Sequence, residues 1–155
     1  MKLDDFKNNL DSPILDGIVY PGGQIHLLDV KVEWTNPPKY TVDFIKATNT
    51  QSLISEEKLH WGSCSILERA ICQVSSQQEV EILLGEGNFG SDGFIAILNR
   101  SVGGLIWLAY FTQSNPFYKA RIEDREIVAI STLGCEWRFD ISTPQFCSVD
   151  CLPHS

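Results

Sequence analysis

The chain has 155 residues and a formal net charge of -8, from 20 acidic and 12 basic side chains. Its 43% hydrophobic and 21% charged content excludes a disordered, weakly hydrophobic chain, and the length suits one domain over residues 1–155. The acid excess excludes a bulk nucleic-acid binder, which needs lysine and arginine to displace phosphate counterions, and it permits a basic partner.

The N-terminal segment, residues 1–12, carries Asp4 and Asp5 where the apolar region of a signal peptide would begin. No window approaches the roughly 18 apolar residues of a membrane helix. A cytoplasmic protein with no membrane partner is the expectation. Residues 2–10 allow one short helix.

From residue 24 onward the dominant period is two, the mark of half-buried strands. Val30, Val32 and Trp34 alternate with Lys31 and Glu33. Tyr40, Val42 and Phe44 alternate with Thr41 and Asp43. The turn formers Thr35 to Lys39 between them predict a hairpin. Segment 63–75 reads two ways. Ile66, Leu67, Ala70, Ile71 and Val74 have helical spacing and Ser65 with Glu68 forms a capping-box pattern, which favours a helix. Cys72 and Val74 also suit a strand.

Residues 79 to 141 read as a meander of about six strands. Val80, Ile82 and Leu84 alternate with Glu79 and Glu81, a pair of acids suited to a solvated strand edge. Phe94 to Leu98 and Leu105 to Phe111 are apolar on both faces and belong in the middle of a sheet, joined by a loop holding Gly103 and Gly104. Ser114-Asn115-Pro116-Phe117 is a turn. Tyr118, Ala120 and Ile122 then alternate with charge, Asp124-Arg125 leads into Ile127 to Ser131, and Leu133-Gly134 leads into Cys135, Trp137, Phe139 and Ile141. Residues 144–155 read as a loose tail. The fold class is therefore all-β or mostly β, an antiparallel sandwich or half-barrel with a C-terminal meander and one or two short helices.

Gly85-Glu86-Gly87-Asn88-Phe89-Gly90 matches the glycine spacing of a dinucleotide site, but a strand follows it, not a helix whose amides could hold pyrophosphate. It is read as a wide hairpin loop whose glycines supply positive φ. Its exposed Glu86, Asn88, Phe89 and Asp92 are candidate partner contacts, as are Asn115 and Phe117. His60 stands four residues from Cys64, without a sequence-visible third group to orient a nucleophile pair. The cysteine count is odd, at five, and with no export signal expected from residues 1–12 a disulfide framework is not expected. Cys147-x3-Cys151-x2-His154 has a zinc-like spacing but no second pair, so free thiols are expected there. No catalytic residue, metal or cofactor is assigned. The charge is uneven: residues 1–92 hold 14 acids and 7 bases, and residues 93–155 hold 6 acids and 5 bases.

Gly85-Glu86-Gly87, Gly90-Ser91-Asp92-Gly93-Phe94-Ile95-Ala96, Leu105 to Phe111, Ser114-Asn115-Pro116-Phe117 and Trp137-Arg138-Phe139 together resemble small bacterial β-rich immunity proteins. These accompany polymorphic or contact-dependent growth-inhibition toxins. The resemblance covers residues 85–141 and rests on turn and core motifs. It implies a non-enzymatic cytoplasmic protein that binds a cognate toxin domain, such as a basic nuclease, and occludes its active site. Under it, Phe89, Tyr20 and Trp61 become candidate aromatic anchors. Two other readings stand beside it: a small-ligand enzyme with a pocket near His60 and Cys64, and a structural β-domain within a larger assembly.

Overall fold

The computed structural model describes residues 9–153. In chain order its elements are β1 (Asn9–Pro13), β2 (Gly17–Val19), β3 (Gln24–Glu33), β4 (Lys39–Asn49), α1 (Thr50–Ser55), β5 (Trp61–Ser75), β6 (Gln78–Glu86), β7 (Gly93–Asn99), β8 (Leu105–Phe111), β9 (Phe117–Glu123), β10 (Glu126–Ser131), β11 (Cys135–Asp140) and β12 (Ser148–Cys151). A 3-10 turn, Pro144–Phe146, precedes β12. The fold is mostly β and every strand pair is antiparallel.

Eight strands form one sheet in the order β1-β5-β6-β7-β8-β2-β3-β4, and four form a second in the order β12-β11-β10-β9. The connection from Pro13 to Gly17 shows that the large sheet curls. Five interstrand steps separate β1 from β2, about 24 Å if the sheet were flat. Four residues of chain reach about 14 Å. The strands from β1 to β2 therefore close into a half-barrel, with Ile14 of the connection packed on its interior. That interior holds Leu10, Cys64, Leu83, Phe94, Ala96, Leu98, Leu105, Leu108 and Tyr110.

The outer face of the same sheet supports the four-stranded sheet. Ile82, Leu84, Ile95, Ile97, Trp107 and Phe111 meet Phe117, Ile127, Trp137 and Phe139 in the larger core. Phe111 lies 4.4 Å from Trp137 between ring centroids. Strands β7 and β8 are apolar on both faces because each face has its own core, as the uninterrupted apolar runs predict. The meander of six strands is present as β6 to β11, but the turn at Ser114–Pro116 carries the chain from one sheet to the other.

Segment 63–75 is strand, not helix. A bulge between Ile66 and Glu68 reverses the phase of β5. Cys64 and Ile66 then face the half-barrel interior, whereas Ala70, Cys72 and Val74 face the other core. Apolar residues placed on opposite faces of one bulged strand imitate helical spacing. The helix that does form, α1, is one short stretch capped by Asn49, whose side chain accepts from the Ser52 amide at 2.8 Å. The short helix expected over residues 2–10 lies mostly outside the described residues, and Leu10 belongs to β1.

The tail is not loose. β12 pairs with β11 and Cys151 is bonded to Cys135, so the expectation of a free thiol at Cys151 is corrected. The two cysteines stand opposite each other in register, a proximity that a count of five cannot reveal. Cys64, Cys72 and Cys147 are free. Glu79 and Glu81 are not on a sheet edge, because β6 lies between β5 and β7. Glu81 is buried and pairs with Arg69 at 3.4 Å and Arg100 at 3.7 Å.

Candidate functional site

The half-barrel does not close. β1 and the chain leaving β2 splay apart from their short connection, and between them lies a cleft of about 360 Å³. Asp11, Ser12 and Pro13 form one wall. Val19, Tyr20, Pro21, Gly22 and Gly23 form the other. Leu105 and Leu108 make the floor, and Ile54 of α1 and Trp61 at the start of β5 stand at the rim. Ile54 is 59% exposed and Trp61 is 56% exposed. Among the described lining residues Asp11 is the one charged side chain.

Local sequence explains the walls. Gly22 and Gly23 take φ of +88° and +95°, a left-handed pair that only glycine adopts without strain, and they turn the chain tightly between β2 and β3. The Thr50 amide donates to the Gly23 carbonyl at 2.9 Å, which places α1 and Ile54 over that turn. Tyr20 is held edge-on to His26, with ring centroids 4.9 Å apart, and His26 meets Phe44 edge-on in turn at 5.4 Å. His26 is thus half-buried between aromatic rings, on the same strand face as Leu28 and Val30 of the larger core.

The glycine loop lies at the neighbouring end of the half-barrel. Tyr110 donates its hydroxyl to Asp92 and accepts from the Asn88 amide at 3.0 Å. Asp92 is 2% exposed, so it braces the loop from inside and is not a surface contact. Phe117 is also corrected: it is fully buried against Phe111 and Trp137. A bulge in the β9–β10 pairing puts Phe117 on the core side with Ala120 and Ile122. The loop's glycines do not supply positive φ. A Cβ at Gly87 would collide with Tyr110, and one at Gly93 with Ser114 and Asn115, so close approach is what requires glycine there. Asn88 and Phe89 are exposed and Glu86 is half-buried. Asn115, at φ +65°, donates its amide to the Ser91 carbonyl at 2.8 Å and so ties its turn to the glycine loop.

Of the partner contacts expected from the sequence, Tyr20 and Trp61 therefore meet at the cleft, while Glu86, Asn88, Phe89 and Asn115 belong to the adjoining loop surface. Asn88 approaches Gly62, the neighbour of Trp61, closely enough that a Cβ on Gly62 would lie 2.9 Å from the Asn88 Cβ. Sequence reasoning missed Asp11, Pro13 and Ile54. Their only signal was an acid, a proline and an exposed isoleucine in segments without clear periodicity.

His60 and Cys64 make no nucleophile pair. Four residues of extended chain separate them by about 13 Å. His60 is exposed, and burial, reinforced by the nearby carboxylates of Asp92 and Asp11, pushes the Cys64 thiol up to about 12. Burial also raises the Asp16 carboxyl, against the Thr112 amide and hydroxyl that donate to it at 2.7 and 3.1 Å. Among the described residues no cluster of three His, Cys, Asp or Glu side chains is arranged to hold a metal. No described helix is long and apolar enough to cross a membrane. No family model matches the chain, and neither a curated protein nor a solved structure matches it significantly.

Proposed function

We propose that this protein is a binding module that neutralises a basic protein partner by covering it, as an immunity protein covers its toxin. The observation that carries the reading is the pair of exposed side chains Trp61 and Ile54 at one apolar cleft, which half-buried Tyr20 also lines, in the acidic part of the chain. Exposed aromatic and aliphatic side chains around a preformed depression are the anchors that dominate protein interfaces. Charge supplies the approach. Lys31, Lys58, Arg69, Arg100, Arg121 and Arg138 each face an acid of this chain. The excess of acids over bases is thus left to set a negative field outside it, which speeds encounter with a basic surface. The resemblance of residues 85–141 to immunity proteins supports the same reading.

The protein is expected to bind and inactivate a basic toxin domain encoded immediately upstream of it, a nuclease being the expected class. Mixing the purified domains and assaying nuclease activity tests this. Undiminished activity at excess inhibitor, with no complex by gel filtration, would end the reading.

A further inference from the structure

The cleft also shows the kind of segment it accepts. The Ile14 amide donates to the His60 carbonyl at 2.7 Å, which continues the β1–β5 register as a hydrogen-bonded pair. Hydrogen-bonded and open pairs alternate along an antiparallel ladder. Leu10, Ser12 and Ile14 therefore turn their main-chain groups toward β5, and Asp11 turns its amide and carbonyl the other way. β1 is the edge of its sheet, so the outward side of Asp11 faces the cleft. Beyond it lie apolar walls, and the Asp11 carboxylate stands at the same edge with no base among the described lining residues. A free strand edge, an apolar slot and a single acid describe the complement of an extended peptide that alternates apolar and basic residues.

We infer that the seam of the half-barrel is a docking groove for such a segment. Its main chain pairs with Asp11, one large apolar side chain fills the space between Val19, Ile54 and Leu108, and an adjacent lysine or arginine meets the Asp11 carboxylate. Pro13, which has no amide, ends the pairing after one such step and so fixes where the segment sits. The inference rests on the proposed basic partner and specifies how that partner is held.

Titration of the nitrogen-15-labelled protein with the peptide acetyl-Lys-Phe-Lys-Leu-Lys-amide tests it. The Asp11, Gly22 and Gly23 amide signals are expected to move, and the same peptide with glutamate for lysine is expected to leave them in place. Asp11→Lys and Ile54→Glu alter exposed side chains and are expected to weaken binding at least tenfold with unchanged circular dichroism. If Asp11→Lys unfolds the protein, Asp11→Asn with the same peptide serves and is expected to weaken binding less. Equal shifts with the acidic peptide, wild-type affinity in the variants, or unmoved cleft amides would overturn the inference. So would a dimer, seen by sedimentation, that Ile54→Glu dissolves, because the groove would then hold a second copy of this chain. A toxin domain that binds the wild type and both variants equally would refute this groove and leave the inhibitor reading standing. Peptide binding without any toxin complex would refute the inhibitor reading and leave the groove.

Discussion

Replacing Phe117 by alanine separates two roles that its position in the turn after Pro116 confuses. The ring is fully buried between the sheets, 6.3 Å from Phe111 and 5.7 Å from Trp137 by centroids. Truncation of a buried phenylalanine removes its transfer free energy and leaves a cavity, together about 4 kcal/mol. For a domain of this size that corresponds to a fall in Tm of about 12 °C. Phe89 is the control, since its ring is 59% exposed on the glycine loop. Phe89→Ala is expected to cost less than about 0.5 kcal/mol. Urea unfolding followed by tryptophan fluorescence measures both, because Trp107 and Trp137 are buried in the same core. If Phe117→Ala unfolded at the wild-type midpoint, the packing of the small sheet on the half-barrel would be wrong.

Three further outcomes follow from the same structure. The unfolded, unreduced chain should titrate three thiols, from Cys64, Cys72 and Cys147, and in the native protein Cys72 should react first, being the least buried; five reactive thiols would contradict the Cys135–Cys151 bond. That bond joins residues 16 apart, and the entropy of closing such a loop makes its loss worth about 3 kcal/mol, read as a lower urea midpoint under reductant; an unchanged midpoint would refute this. Burial holds the Asp16 carboxyl above its ordinary value of 3.8, so the native state binds its proton more tightly than the unfolded chain and this site costs stability as pH rises through that window. Asp16→Asn should therefore stabilise the protein at pH 7 and gain less at pH 4, compared by urea midpoints; a larger gain at the lower pH would reverse the sign.

Much of the architecture was legible because period-two alternation reports directly which face of a strand is buried. Val30 to Phe44 gave a hairpin, and Cys135 to Ile141 gave an inward face, because over those residues the phase holds; Trp34, read in phase with Val30 and Val32, is exposed beyond the end of β3, and a bulge at Ile45 breaks the phase further along β4. Where phase breaks, the reading broke with it. The β5 bulge at Leu67 turned a two-faced strand into an apparent helix, and the β9 bulge moved Phe117 from surface to core. The link at Asp124 and Arg125 was read where the structure has it, a hairpin turn between β9 and β10, with φ of +51° and +69°. The cleft was less legible than the fold. Tyr20 and Trp61 stood out as aromatic residues in turns, but their meeting depends on a curl set by the short connection from Pro13 to Gly17. Asp11 acquires its role from strand order and hydrogen-bond register, neither of which is a local property of sequence.

Hydrogen–deuterium exchange on the complex with the basic domain proposed as partner tests the central claim most directly. Protection is expected at residues 11–13, 19–23 and 50–61, which border the seam. Protection confined to the outer face of β9 to β11, or none anywhere, would contradict the account.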